Sequence, residues 1–205
     1  FKYLIRTFFN FERLTISLKK ETENRRKIDK GINSIIKLTD GHDDDFNEGD
    51  EFPTNGSIHG LPIINRKIIN SVDWPKNYPN MFRFHSSEND DYNLKSILGV
   101  PIIIDGESRG SILIERSGSK PFSINNEKDL GLMGTVLGSA LHWRYEYEKI
   151  HNNATHDGLS GLLNHQTFKE RFSDEILRAA RFQQKMAVMI FDLDKFKKVN
   201  DTLGH

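Results

Sequence analysis

Ser96-Ile97-Leu98-Gly99-Val100-Pro101-Ile102-Ile103-Ile104, then Asp105-Gly106-Glu107, then Arg109-Gly110-Ser111-Ile112-Leu113-Ile114, reads as a strand, a tight turn and a returning strand. β-Branched residues dominate both runs, and Asp-Gly between them is a favoured hairpin turn. This pair is expected at the centre of an antiparallel sheet. Upstream, a dense aromatic run from Leu4 gives way to alternation, with Leu14, Ile16 and Leu18 on one face and Arg13, Thr15, Ser17 and Lys19 on the other. That pattern predicts a half-buried strand. A charged hairpin turn between Lys20 and Lys30 precedes a further apolar run at Ile32, Ile35, Ile36 and Leu38. Thr54 to Ser57 opens a short helix through Ile58, Leu61, Ile63 and Ile64, with Ser57 or Asn55 placed to cap it, and Ile68 and Ile69 form a brief strand. Leu130, Met133, Leu137, Leu141 and Tyr145 then recur at helical spacing to about Lys149. The order of elements predicts an α+β domain.

Composition excludes several classes of function. Lys plus Arg and Asp plus Glu each number 29, so there is no basic field to hold nucleic acid. The chain has no cysteine, which removes disulfides, thiolate metal sites and thioether-linked chromophores. Its apolar runs are too short for a membrane segment, and the cytoplasm is the expected location. Both ends, Phe1 and His205, read as cut from something longer, with room for an anchor upstream. Asp43, Asp45 and Asn47 imitate the start of a calcium loop, but Glu48 and Thr54 stand where Gly and Glu are needed, so a solvated loop tip is expected.

The run from Ser96 to Pro101, the Gly110 to Leu113 return strand, Pro121-Phe122-Ser123 and a terminal helix from Glu127 together resemble the second half of a GAF domain. Gly56-Ser57-Ile58-His59-Gly60 and Ile68 to Asp73 resemble its first half. The resemblance implies a six-stranded antiparallel sheet flanked by helices over residues 1–148, with a pocket for a small regulatory molecule. Between Asp73 and His85 the chain gathers Trp74, Tyr78, Phe82, Phe84 and His85 with Lys76 and Arg83, a set able to stack on a planar ring and neutralise a phosphate. A simple covering of the sheet by these aromatics is the competing reading. Thr54, Ser57, Ser71 and Asp73 can add polar contacts, so the expected pocket is Thr54, Ser57, Ser71, Asp73, Trp74, Arg83, Phe84 and His85. Cyclic-nucleotide-binding GAF domains carry a stretch that Phe122 and Glu127 match, while Glu115, Arg116 and Asn126 depart from it. An Arg116–Glu127 ion pair behind the pocket is expected to preserve its structural role. The ligand implied is a cyclic nucleotide, cyclic AMP ahead of cyclic GMP. A haem or redox sensor would need His59 or His85 as axial ligand, and a third reading is a dimerisation module with a vestigial pocket.

Thr155-His156-Asp157-Gly158-Leu159-Ser160-Gly161-Leu162-Leu163-Asn164-His165 is similar to the opening of a GGDEF domain, with Ser160 and His165 where Thr and Arg are usual. Phe168, Phe172, Ile176 and Ala180 mark an amphipathic helix, and Met186 to Phe191 is expected as a buried strand. The strand runs into Asp192-Leu193-Asp194-Lys195-Phe196-Lys197-Lys198-Val199-Asn200-Asp201-Thr202-Leu203-Gly204-His205, the most specific part of the resemblance. It implies a diguanylate cyclase joining two GTP molecules. Asp192 and the carbonyl of Leu193 would hold Mg²⁺, Phe196 and Lys197 would meet the triphosphate, and Asn200 would read guanine. The family's signature loop is absent from these 205 residues, so this chain alone is expected to be inactive. The expected division is a GAF sensory domain at 1–148, a connecting helix at 129–156 and an incomplete GGDEF segment at 157–205. The stripe Leu130, Met133 or Gly134, Leu137, Leu141 and Arg144 is expected to join two copies as a parallel dimer.

Overall fold

The computed structural model describes residues 1–20, 33–41, 46–87, 93–118, 120–192 and 194. The expected turn between Lys20 and Lys30 and the carboxylates Asp43 and Asp45 lie outside these residues. The chain divides into two units, Phe1–Glu146 and Tyr147–His205.

The first unit opens with helix α1 (Lys2–Phe8) and strands β1 (Arg13–Lys19), β2 (Asn33–Asp40) and β3 (Glu51–Pro53). Helix α2 (Leu61–Asn65), strand β4 (Ile69–Ser71) and helix α3 (Trp74–Asn77) follow, then β5 (Ser96–Ile104), β6 (Glu107–Arg116) and the long helix α4 (Ile124–Thr155). The strands form one sheet in the order β3-β2-β1-β6-β5-β4, and every described pairing is antiparallel. The 96–114 hairpin does lie near the centre, as β5 and β6. Asp105 and Gly106 make its turn with φ of 54° and 74°, the left-handed conformation that suits Asp and Gly.

The two faces differ in chemistry. Leu14 and Ile16 of β1, Leu98, Val100 and Ile102 of β5, and Ile112 and Ile114 of β6 share one face. With Ile5, Phe9, Phe11, Phe122 and Leu130 they form the main apolar core. The opposite face carries a smaller core around Trp74, with Ile58, Leu61, Ile69, Ile97 and Leu113. β1 is therefore buried on both faces rather than half-buried, because Arg13, Thr15 and Ser17 are covered as fully as their apolar neighbours. The aromatic start, whose residues sit in the same run as that strand, forms α1 instead.

Helix α4 starts on a reciprocal cap: Asn126 Oδ1 accepts from the Ser123 N–H at 3.0 Å, and Ser123 Oγ accepts from the Asn126 N–H at 3.2 Å. Its inner side rests on the sheet. Gly134 and Gly138 are buried there, and Met133, Leu137 and Leu141 pack on the main core. The stripe expected to join two copies is thus occupied by this chain's own sheet from Leu130 to Leu141, while Arg144 at its end is exposed. Among the apolar residues of the helix left outside are Leu132, Val136 and Trp143, which are 65%, 56% and 72% exposed.

In the second unit, Asp157 accepts hydrogen bonds from the Ser160 backbone and hydroxyl at 2.9 and 2.7 Å, closing the turn before helix α5 (His165–Arg181). These bonds to the charged form hold the Asp157 carboxyl below its usual range. Asn164 caps α5 through the Thr167 N–H at 2.9 Å. The expected buried strand at 186–191 does not form: those residues make no sheet, and Ile190 is 93% exposed. A strand needs a neighbour to satisfy its backbone, and the described residues of this unit offer none.

Candidate functional site

On the face opposite the main core, odd-numbered residues of β1 and β6 sit side by side through the register pairs Arg13 with Glu115, Thr15 with Leu113 and Ser17 with Ser111. Polar side chains at these central positions are buried, and each needs a partner. Ser111 Oγ donates to the His59 carbonyl at 2.9 Å and lies 3.0 Å from Ser17 Oγ, which leaves Ser17 as the donor in their contact. Ser34 and Thr54 hydroxyls meet at 2.8 Å across β2 and the segment after β3.

Glu115 is the centre of the site. Arg83 holds it with two bonds, Nε to Oε1 at 3.0 Å and Nη2 to Oε2 at 2.9 Å, a bidentate pairing. Arg13 Nε stands 3.8 Å from Oε2 and also donates to Thr15 Oγ1 at 3.3 Å. His59 Nε2 stands 3.4 Å from the same Oε2. Arg13, His59 and Glu115 are wholly buried. Burial by itself would raise the Glu115 pKa. The charge of Arg83 and contacts from His59 outweigh it and hold the carboxyl well below the usual carboxylate range. His59 shifts downward for the mirrored reason: burial disfavours its charged form, Arg83 and Arg13 add repulsion, and Glu115 offsets only part.

The aromatic wall of the site is Phe84. It stacks on His59 at 4.1 Å between centroids and meets Phe52 edge-on at 5.4 Å. The Arg13 and Arg83 guanidinium carbons lie 5.1 and 5.6 Å from its centroid. An axial ligand to haem binds through a ring nitrogen, and His59 is wholly buried with its Nε2 turned to Glu115 Oε2 at 3.4 Å. His85 sits on the outer side, with Nε2 3.0 Å from the Glu51 carbonyl oxygen and its ring 5.6 Å from Phe46.

Of the residues expected to line the pocket, Arg83 and Phe84 meet Glu115 and His59, and Thr54 and Ser57 lie close in sequence to His59. Ser57 Oγ accepts from the Gly60 N–H at 2.9 Å, so it shapes the turn before α2, whose N-cap is Gly60. Trp74 is fully buried in the smaller core and its Nε1 donates to the Leu94 carbonyl at 3.0 Å. Asp73 caps α3, and Ser71 accepts from Asn77 Nδ2 at 2.8 Å near the sheet edge. The expected Arg116–Glu127 pair is absent. Arg116 lies over the Phe122 ring at 4.1 Å and donates to the Lys120 and Pro121 carbonyls, while Glu127 accepts from Asn70 Nδ2 at 2.7 Å. Asn70 also donates to the Phe122 carbonyl at 2.9 Å, so it joins β4 to the start of α4 in place of the ion pair.

Sequence reading missed Arg13, His59 and Glu115 as one cluster. A signal was present: two charges, Arg13 and Glu115, flank apolar runs that are buried in both directions, and buried charges need partners. In the second unit Asp192 is an exposed carboxylate, a hard oxygen donor suited to Mg²⁺, while Leu193, Phe196, Lys197 and Asn200 lie outside the described residues. Among the described residues no group of three or more His, Asp or Glu side chains is arranged to hold a metal ion. No described helix is long and apolar enough to cross a membrane.

Residues 154–205 match the family model for the diguanylate cyclase GGDEF domain. Over 60 residues the chain is 35% identical to diguanylate cyclase DgcS of Shewanella oneidensis, a match covering 29% of this chain and 20% of that protein. Over 93 residues it is 33% identical to cyclic di-GMP phosphodiesterase PdeB of the same organism, covering 45% of this chain and 10% of that protein. The chain thus spans a small part of the curated relatives it matches. The structure aligns with the GAF domain of a phosphoenolpyruvate-protein phosphotransferase from Coxiella burnetii at a TM-score of 0.55 and 18% identity, over 71% of this chain and 80% of that one. The chain carries the GAF fold ahead of a segment, residues 154–205, that matches the GGDEF family of diguanylate cyclases.

Proposed function

We propose that residues 1–148 are the small-ligand sensor of a diguanylate cyclase and that α4 (Ile124–Thr155), which covers all but the last residue of the connecting helix expected at 129–156, carries its state to the cyclase domain that begins near residue 157. The observation that carries this reading is the Arg13–His59–Arg83–Glu115 cluster. A buried ionic group of this kind is a poor way to stabilise a core, and perturbed ionisable groups gather at functional sites. The ligand class favoured is a purine cyclic monophosphate, cyclic AMP ahead of cyclic GMP. Arg83 would exchange the Glu115 carboxylate for the cyclic phosphate, Phe84 would stack on the base, and Thr54 and Ser57 would add polar contacts. Ser71, Asp73 and His85 complete the proposed lining, and Trp74 backs it from the smaller core, where its indole is held by the Leu94 carbonyl. Calorimetry with cyclic AMP and cyclic GMP tests this: saturable micromolar binding, about −8 kcal/mol, that Arg83→Met weakens supports it, and no binding at millimolar nucleotide by folded protein overturns it.

In the complete protein, Asp192 and Leu193 would hold Mg²⁺, with Phe196, Lys197 and Asn200 on GTP. Mg²⁺ bound there would offset charge on the phosphates. The match to a cyclic di-GMP phosphodiesterase favours one second reading, in which the GGDEF segment belongs to an enzyme that degrades cyclic di-GMP. Assay of the full-length protein with GTP and with cyclic di-GMP separates the two. The proposed assembly is a homodimer, now through Leu132, Val136 and Trp143 rather than through the stripe seated on the sheet.

A further inference from the structure

A cleft of about 320 Å³ opens where the end of β1, the β5–β6 turn and α4 meet, at the opposite end of β1 and β6 from the Arg13–Glu115 pair. That volume is at the small end of the range for ligand sites, roughly 300–1,000 Å³. Leu18, Ile104, Leu141 and Tyr145 give the cleft its apolar and aromatic lining, and Lys19, Arg109 and Asp105 bring charge to it. Most of that charge is already paired. Arg109 Nη2 is 3.1 Å from Glu107 Oε2, and Asp105 Oδ1 is 2.8 Å from His142 Nδ1 on α4.

Lys19 is the exception: among the described residues its ammonium makes no hydrogen bond or salt bridge. Partial burial lowers its pKa first. The charge of Glu107 pulls the other way, and Arg109 and Arg66 push it further down. An apolar cleft with one uncommitted cation suits an anion of single charge, because Asp105 and Glu107 beside it oppose a dianion.

We propose that this cleft is a second ligand site, for a small monocarboxylate whose carboxylate meets Lys19 and whose short apolar body lies against Leu18, Ile104, Leu141 and the Tyr145 ring. Such a ligand touches β1, the β5–β6 turn and α4 at once, so its binding energy favours whichever arrangement keeps those three together. The site is separate from the Arg13–His59–Arg83–Glu115 cluster and does not rest on the ligand proposed there.

Heteronuclear NMR of the whole chain, titrated with sodium hexanoate, hexanol and sodium phosphate, tests the proposal. Hexanoate should produce saturable shifts at Leu18, Lys19, Ile104, Asp105 and Leu141, with hexanol and phosphate at least about tenfold weaker. Lys19→Met keeps the aliphatic stem and should weaken hexanoate about tenfold while leaving hexanol unchanged. Leu141→Trp should fill the cleft and remove both responses, and cyclic AMP should not compete. Where Lys19→Met does not fold, Lys19→Gln serves the same purpose. Absence of saturable shifts at about 10 mM hexanoate, or equal hexanoate affinity in a folded Lys19 variant, overturns the proposal.

Discussion

Arg83 and Glu115 form a two-bond ion pair, Nε to Oε1 at 3.0 Å and Nη2 to Oε2 at 2.9 Å, between the segment after α3 and the end of β6. Removing the acid leaves Arg13 and Arg83 without their shared carboxylate in a dry setting. Glu115→Ala should therefore destabilise the first unit by about 3–5 kcal/mol, the range for breaking a buried pair from one side. Urea unfolding followed by circular dichroism measures it, and a loss no larger than that of a surface substitution counts against the cluster's importance.

The same cluster fixes how stability responds to acid. His59 has a folded pKa below its ordinary 6.5, so the unfolded chain binds its proton first and stability falls as pH drops below about 6.5. Glu115 has a folded pKa below its ordinary 4.5, so its contribution is complete above that value and is lost as pH falls further toward the folded pKa. Both limbs slope the same way. His59→Asn should flatten the upper limb and keep the lower one, which Arg83 chiefly sets, as read from chemical denaturation midpoints between about pH 2 and pH 8.

Helix α4 offers a steric prediction. A Cβ on Gly138 would lie 2.2 Å from the Ile103 carbonyl oxygen, and one on Gly134 would lie 3.0 Å from the Pro101 carbonyl oxygen. Gly138→Ala should cost about 1–3 kcal/mol despite the better helix propensity of alanine, because overpacking against backbone has no flexible side chain to displace. Gly131→Ala, on the same helix with only the flexible Ile68 Cδ1 within 4 Å at 3.5 Å, is the matched control. Equal melting temperatures for the two variants would contradict the close seating of α4 on β5.

Two substitutions one residue apart separate packing from assembly. Leu137 packs on the core, so Leu137→Glu should lower stability by burying an unpaired charge. Val136 is 56% exposed, so Val136→Glu should leave the monomer's stability within about 0.5 kcal/mol and lower the mass seen in light scattering. An unchanged dimer in Val136→Glu would place the interface elsewhere, and a monomeric parent would remove it.

The central hairpin, the order of strands and the long helix were legible because alternation and helical spacing report directly which side chains face a core. The boundary of that logic is visible at β1. Arg13, Thr15 and Ser17 look like a solvent face in the sequence, yet all three are buried, Arg13 by the segments around Phe46 and Phe84, and coverage by distant segments leaves no local trace. Arg83 and Phe84 were legible as site residues by their type. Glu115 was not, because it was weighed only as a departure from a known pattern, and its significance depends on facing Arg13 across two strands. Trp74 shows the converse: its stacking surface suggested a ligand, and its indole is committed to the core and to Leu94. At 186–191 the apolar run was plain, but a strand is a property of two segments, and the second is not among the described residues.

The glycines of α4 have a mechanical consequence. Where Gly138 sits, the helix meets only the backbone of Ile103, and at Gly134 it meets the Pro101 carbonyl beside the stiff, β-branched Val100. Ordinary helix-on-sheet contacts are cushioned by rotamers, which absorb small slips by turning over. Beside the rotamers of Met133, Leu137 and Leu141, these two contacts have almost nothing that can turn. A displacement of β5 along its own axis should therefore reach α4 with less of it absorbed here than elsewhere, so that this short stretch works as a clutch plate between strand and helix rather than as a cushion.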